Sequence, residues 1–149
     1  MKRDVYRMRT RQEFEAWLRA IDARLAWFHH EVPASLRPYL DFTISSLNIL
    51  ESWLLDRYPN LDLAMTPDEY ALVEAAGTYV GETLRKLVGG EWTIELDDWE
   101  AAYLGVPGLE GFESRTVKNP AYPHSWVTAS LHRRTGHYIR DRFEHIMRE

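Results

Sequence analysis

Histidine and aspartate recur with helical spacing near the C-terminus, at His137, Asp141 and His145. On a continuous helix, residues four apart lie on one face, so these side chains offer nitrogen and oxygen atoms of the kind that bind zinc. Eight residues span about 12 Å along a helix axis, however, which is too far for all three to reach one ion. Arg140 and Arg142 also lie beside the trio and would repel a cation. The pattern therefore favours a solvated polar face, and we expect no metal and no cofactor.

Other candidate catalytic patterns lack the spacing that their chemistry requires. His29 and His30 are adjacent and precede Glu31, whereas a zinc protease needs two histidines one helical turn apart with a glutamate between them. No serine stands in a Gly-x-Ser-x-Gly turn, and residues 105–108 do not form a phosphate-binding loop because neither a lysine nor a helix start follows them. The chain has no cysteine, which excludes a thiol nucleophile and disulfides. We therefore expect no catalytic residue.

Glu82 is the charged residue whose position is hardest to explain as a simple solvent-exposed side chain. It follows Gly81 on a predicted helix whose other residues are mainly apolar, and Trp92 comes ten residues later. A carboxylate held near an indole can orient a binding surface or act as an acid with a perturbed pKa. Its more common role is a hydrogen-bond anchor for a strand end or an arginine. Glu82 and Trp92 are therefore candidates for either a functional or a structural anchor.

The acidic residues are concentrated in the middle of the chain. Residues 41–113 contain fifteen acidic and three basic side chains, whereas both ends are basic on balance and the net charge is −5. Either the basic ends pack beside the acidic middle, or the middle presents a face to a basic partner through complementary charge. We predict that the protein-binding face lies at Glu95, Asp97, Asp98 and Glu100. A chain with this charge is not expected to bind nucleic acid as its main ligand.

Three helices are expected before these acidic residues. The first covers residues 10–32 and begins with a capping box, in which Thr10 and Glu13 satisfy backbone groups of the first turn. The second covers residues 43–58. The third covers residues 66–88 and has a proline at its first position and a Gly-Gly pair after its end, which are typical helix boundaries.

Two glycines lie on one face of the third predicted helix. Gly77 and Gly81 are four residues apart, and each costs the helix about 1 kcal/mol relative to alanine. Another helix or a sheet is therefore expected to pass close to this face.

The period of the apolar residues changes after the third helix. Residues 92–97 alternate between apolar and polar side chains, which predicts a strand, and residues 102–106 and 113–118 predict a second and a third. Residues 123–147 then predict a long C-terminal helix, with Gly136 in its interior as a point where it can kink or split. The predicted fold is α+β: three helices, a small antiparallel meander of two or three strands and a long C-terminal helix, with one layer of helices packed on the sheet.

The composition is that of a single globular domain covering residues 1–149. Hydrophobic residues make up 45% of the chain and aromatic residues 13%, which is enough apolar surface for one core. The N-terminus carries charge where a signal peptide has an apolar segment, and no apolar run is long enough to span a membrane. We therefore expect a cytoplasmic protein with no membrane partner.

Two segments of the chain carry a recognisable pattern. One is Leu40-Asp41-Phe42-Thr43-Ile44-Ser45-Ser46-Leu47, through Glu51 to Tyr58-Pro59, and the other is Ala76-Gly77-Thr78-Tyr79-Val80-Gly81-Glu82, with Leu87 and Gly89-Gly90-Glu91-Trp92 after it. Together they resemble a group of small uncharacterised bacterial proteins of actinobacterial type, which are similar in style to the immunity proteins of toxin systems. The resemblance covers residues 36–108. It implies the helices-then-meander fold and supplies no catalytic residues.

The sequence favours a non-enzymatic protein-binding domain, of the immunity type that inhibits a toxin or effector by masking it. Six tryptophans and eight tyrosines support this hypothesis together with the acidic middle, because aromatic residues are common in interface hot spots. The expected partner is a protein with a basic surface. Two alternatives stay open: a small metal-dependent or acid–base enzyme that uses Glu82 or the histidines, and a subunit for structural or oligomeric assembly.

Overall fold

The computed structural model describes residues 7–148, and most of these residues are helical. Two short antiparallel strands, β1 (Glu91–Thr93) and β2 (Gly108–Glu110), form the sheet of this part of the chain. Short 3-10 helices at Arg37–Tyr39 and Pro67–Glu69 lie between longer helices. The α-helices of the described residues are α1 (Arg11–Arg19), α2 (Ile21–Glu31), α3 (Ile44–Arg57), α4 (Leu61–Ala64), α5 (Tyr70–Val88), α6 (Pro123–Arg133) and α7 (Tyr138–Met147). None of them is long and apolar enough to cross a membrane.

The predicted α+β fold is wrong, because the sheet is smaller than expected and the helices are more numerous. β1 overlaps the first predicted strand, residues 92–97, only at residues 92 and 93, and its partner is β2 rather than residues 102–106. Residues 102–106 form turns instead: the N–H of Leu104 donates to the carbonyl of Ala101, and the next turn follows directly. Backbone donors that are used within local turns cannot extend a ladder between strands.

The predicted third strand, residues 113–118, contacts the end of the last helix instead. The hydroxyl of Ser114 donates to the carbonyl of Ile146 at 2.6 Å, and that of Thr116 donates to the carbonyl of His145 at 2.8 Å. Carbonyl groups in the last turn of a helix have no partner within the helix. This segment therefore caps α7 and does not pair in the sheet.

The predicted long C-terminal helix is two helices, α6 and α7. Arg134 ends α6 in the left-handed conformation, with φ of 58°, and Gly136 follows with φ of 88°. The buried carboxylate of Glu51, in α3, accepts hydrogen bonds from the N–H groups of Tyr138 and Ile139 at 3.1 and 2.9 Å. N–H groups in a first helical turn lack partners, and the helix dipole favours a negative charge there. A contact with α3 thus fixes where α7 begins.

The first predicted helix is likewise divided, into α1 and α2, which meet at Ala20. The capping box that begins it is confirmed. Thr10 Oγ1 accepts from the N–H of Glu13 at 3.1 Å, and Glu13 Oε1 accepts from the N–H of Thr10 at 3.0 Å.

α5 lies in the centre of the core and is packed between α2 and α6. A Cβ atom added at Gly77 would lie 2.2 Å from Cδ2 of His124 in α6. One added at Gly81 would lie 2.2 Å from Cη2 of Trp92 in β1. The close approach predicted from the two glycines is confirmed, and it brings a helix to one glycine and a strand residue to the other.

Candidate functional site

The four acidic residues predicted as a binding face lie on an exposed loop that follows β1. Glu95 Oε2 accepts hydrogen bonds from the N–H groups of Asp97 and Asp98 at 2.9 and 3.0 Å. Asp98 Oδ1 accepts in turn from the N–H of Glu100 at 3.1 Å. The hydrogen bonds from Asp98 and Asp97 lower the pKa of Glu95, so this carboxylate is ionised at neutral pH. We call residues 95–100 the acidic loop.

Backbone contacts join the first residue of the acidic loop to residues 104 and 105, which follow the loop. The N–H of Gly105 donates to the carbonyl of Glu95 at 2.7 Å, and Leu104 pairs with Glu95 in an isolated bridge. The guanidinium of Arg7 donates to the carbonyl of Leu104 at 2.7 Å. The N–H of Met8 donates to the carbonyl of Gly105 at 2.7 Å. The loop is therefore a closed turn with its own internal hydrogen bonds.

Trp99 lies within the acidic loop, and 84% of its surface is exposed. It stands between Asp98 and Glu100, so ionisable side chains flank the indole on both sides. The sequence prediction named the acidic residues but missed this tryptophan. Strand alternation could not place it, because residues 98–101 form a turn in which the N–H of Ala101 donates to the carbonyl of Asp98 at 2.9 Å.

Glu82 and Trp92 are brought together by the structure. The indole N–H of Trp92 donates to Glu82 Oε2 at 2.7 Å. Arg85 donates to the same carboxylate at 3.0 and 3.2 Å, and its Nε donates to the carbonyl of Gly90 at 3.1 Å. The carboxylate thus links the end of α5 to the beginning of β1. This geometry is that of an anchor between two elements, and it lies within the protein rather than on the acidic loop.

A second carboxylate on α5, which the sequence analysis did not single out, lies in the core. Glu74 is 7% exposed, and its Oε2 accepts from His124 Nε2 at 2.6 Å and from the indole N–H of Trp17 at 3.0 Å. Burial raises the pKa of Glu74, but the charge and hydrogen bond of His124, the bond from Trp17 and the charge of Arg24 outweigh it and keep the pKa below its ordinary value. Glu74 and His124 therefore form a buried ion pair between α5 and α6.

Aromatic rings surround this ion pair. Trp17 meets Trp92 edge-on at 4.9 Å between centroids, and both rings lie about 6 Å from the imidazole of His124. The guanidinium of Arg24 lies over Trp17 at 4.8 Å from the ring centroid. Residues from α1, α2, α5, α6 and β1 thus meet at one point. With His124 only 2% exposed, the pair is enclosed and holds the helices together.

The histidines considered as metal ligands each contact a different group. His137 Nδ1 donates to Asp141 Oδ2 at 2.6 Å on the exposed face of α7. His145 contributes its carbonyl to Thr116, as described above. His29 contacts the carbonyl of Arg37 at 3.1 Å through Nε2. Within residues 7–148, no three His, Asp or Glu side chains are placed to hold one metal ion.

Two regions therefore stand out by their chemistry, the exposed acidic loop around Trp99 and the enclosed ion pair of Glu74 and His124. The first can meet a partner directly, because its indole and carboxylates lie on the surface. The second stabilises the packing of α6 on α5. Comparison of the chain with protein-family models, curated proteins and solved structures finds no match.

Proposed function

We propose that this chain is a non-enzymatic protein-binding domain, and that the acidic loop around Trp99 is its docking surface. The observation that carries the proposal is the exposure of Trp99, an indole that is 84% accessible between two carboxylates. Large exposed aromatic residues are costly in water and are enriched in the hot spots of interfaces.

The indole of Trp99 can supply a large part of a binding free energy. A tryptophan buries on the order of 200 Å² in an interface, and at about 25 cal/mol per Å² this is a gross gain of roughly 4–5 kcal/mol. The hydrogen bonds that the N–H groups of Asp97 and Asp98 donate to the carboxylate of Glu95 hold the loop in shape before a partner arrives. A preformed loop loses less conformational entropy on binding, so more of this gain is retained.

The charges of the acidic loop favour a basic partner. Glu95, Asp97, Asp98 and Glu100 surround Trp99 with negative charge. Complementary charge increases the association rate and disfavours acidic competitors. The partner is therefore a protein with an apolar pocket surrounded by lysine and arginine. An immunity-type inhibitor that masks such a surface on a toxin or effector is the specific form that we propose.

The proposal is tested by capture and then by kinetics. The immobilised protein is exposed to host lysate, and retained proteins are compared between wild type and an Asp97→Lys/Asp98→Lys variant. A Glu31→Lys/Asp56→Lys variant is the matched control, because both changes lie on exposed residues at helix C-terminal ends, where lysine is tolerated.

We expect one basic protein to be retained by the wild type and the control but not by the loop variant. With that protein purified, the loop variant should associate more slowly at low salt, and the difference should shrink as salt increases. Equal retention by the loop variant and the control would contradict the proposed surface. Concentration-dependent self-association that is lost on Trp99→Ala, seen by sedimentation, would assign the loop to a homo-oligomer instead.

A further inference from the structure

A pocket of about 400 Å³ lies where the beginning of α6 meets α7. This volume is within the range for small-molecule sites, roughly 300–1,000 Å³. The segment before α6 forms one side of the pocket and contributes Val117 and Pro120 to its lining, and α7 contributes Arg142 and Ile146. None of the residues of the acidic loop lines it. The pocket is therefore separate from the docking surface proposed above.

Contacts within the protein fix the walls of this pocket. The N–H of Ala121 donates to the carbonyl of Leu109 at 2.8 Å, and the N–H of Leu109 donates back at 2.7 Å, so the lining segment is tied to β2. Tyr103 and Tyr122 form another wall, with their rings stacked at 4.0 Å between centroids and 12° between planes. The pocket exists before any ligand arrives, which reduces the cost of binding.

Arg142 is the charged residue of the lining, and its charge is uncompensated. The guanidinium lies over the ring of Trp126, 6.0 Å from the centroid. Within residues 7–148 its Nε is buried without a hydrogen-bond partner, and no carboxylate lies within ion-pair distance of the side chain. Arg140, by contrast, pairs with Glu144 at 3.3 Å on the same helix. A partly buried charge without a partner is costly, so an anion that reaches its terminal nitrogens gains a strong interaction.

The charges around the pocket orient such an anion. Burial raises the pKa of Tyr122, and the neighbouring Tyr103 and the carboxylates of Glu95 and Glu110 raise it further. Negative charge therefore acts on the wall formed by the tyrosines, whereas positive charge is supplied by α7. A ligand with one anionic end and one apolar end is directed with its anionic end to Arg142.

We propose that this pocket binds a small organic acid, whose carboxylate pairs with the terminal nitrogens of Arg142 and whose apolar body packs against Val117, Pro120 and Tyr122. A carboxylate can accept two parallel hydrogen bonds from a guanidinium, and this pairing is stronger than one between neutral groups. The apolar walls disfavour a fully hydrated inorganic ion. The site does not depend on the protein-binding function proposed above.

Titration of the full chain with benzoate and with hexanoate tests this proposal, and benzamide and hexanamide are the neutral analogues of matching shape. Chemical-shift changes of the backbone amides and of the Trp126 indole N–H report both the affinity and the location of each probe. We expect saturable shifts at Val117, Ala121 and Trp126. At least one acid should bind about tenfold or more tightly than its amide.

Substitution of Arg142 tests the residue that carries the proposal. Arg142→Gln should lower the affinity for the acid about tenfold, which corresponds to about 1.4 kcal/mol, and should leave that for the amide unchanged. Arg140→Gln is the matched control and should change neither, because the charge of Arg140 is already paired with Glu144. If Arg142→Gln does not fold, Arg142→Lys replaces it. Lysine keeps the charge but loses the two parallel hydrogen bonds, so the affinity for the acid should fall about threefold.

Several results would overturn the proposal. One is the absence of saturable binding of either acid up to about 10 mM, a limit above the millimolar affinity of weak ligands. The others are equal affinities for acid and amide, shifts centred outside the pocket, and equal effects of the Arg142 and Arg140 variants.

Discussion

Replacing Gly77 with alanine perturbs the closest contact between α5 and α6. The new methyl carbon would lie 2.2 Å from Cδ2 and 2.5 Å from Cγ of His124, so the imidazole would have to move. Movement breaks its 2.6 Å bond to Glu74, and breaking a buried ion pair costs about 3–5 kcal/mol. Alanine recovers about 1 kcal/mol of helix propensity over glycine. We therefore expect Gly77→Ala to lower the free energy of unfolding by about 2–4 kcal/mol.

Urea denaturation followed by tryptophan fluorescence measures this loss of stability. The same substitution made in a His124→Ala protein tests whether the His124 ring causes the loss. In a His124→Ala protein the obstructing ring is absent, so Gly77→Ala should become neutral or stabilise by up to about 1 kcal/mol. Ala71→Gly, at an exposed position of the same helix, controls for propensity and should cost about 1 kcal/mol. The reasoning is refuted if Gly77→Ala is equally destabilising with and without the His124 ring.

The buried carboxylates of Glu74 and Glu51 give two further predictions. Burial by itself would raise the pKa of Glu74. His124 and the other neighbours lower this pKa by more than burial raises it, so the folded-state pKa lies below the unfolded one. The stability that this pair contributes is then complete above about pH 4.5 and is lost as the pH falls through the folded-state value. Between about pH 6 and pH 3 the free energy of unfolding should fall less steeply in Glu74→Gln than in wild type, and equal slopes would count against the assignment. Glu51→Gln should cost about 1.5–3 kcal/mol in urea denaturation, because it removes the charge that caps α7; an unchanged midpoint would disprove that role.

Local signals in the sequence identified the start of α1 and the end of α5, although α5 begins at Tyr70 and not at the predicted residue 66. Thr10 and Glu13 form their capping box because it involves only neighbouring residues, and Gly89 ends α5 with φ of 79°. The glycines at 77 and 81 correctly indicated a close approach, since a helix rarely contains such a pair without a packing reason.

Boundaries that depend on distant residues could not be predicted in this way. The division of the C-terminal helix needs Arg134 in a left-handed conformation and the carboxylate of Glu51, which is 87 residues before Tyr138. The strand predicted at residues 102–106 has suitable residues, but local turns use the N–H groups of Leu104 and Val106. Alternation gives the orientation of side chains and does not select the partner strand.

Contacts between the candidate residues were predictable only where the two residues are close in the chain. Glu82 and Trp92 are ten residues apart, and the structure joins them at 2.7 Å. Glu74 and His124 are 50 residues apart, so no spacing rule connects them. A signal was nevertheless present, because Glu74 is a charged residue within an apolar run, and such residues are almost never buried unless they are paired.

Trp99 offers the most direct test of the proposed docking surface. Because its side chain is exposed, Trp99→Ala should leave the free energy of unfolding within about 0.5 kcal/mol of wild type. Trp27, 41% exposed on α2, provides the matched control as Trp27→Ala. The decisive measurement is the affinity of both variants for the basic protein captured from lysate. We predict at least about a 30-fold loss for Trp99→Ala and little change for Trp27→Ala, since hot-spot tryptophans contribute about 2 kcal/mol or more. An unchanged affinity for Trp99→Ala would contradict the account.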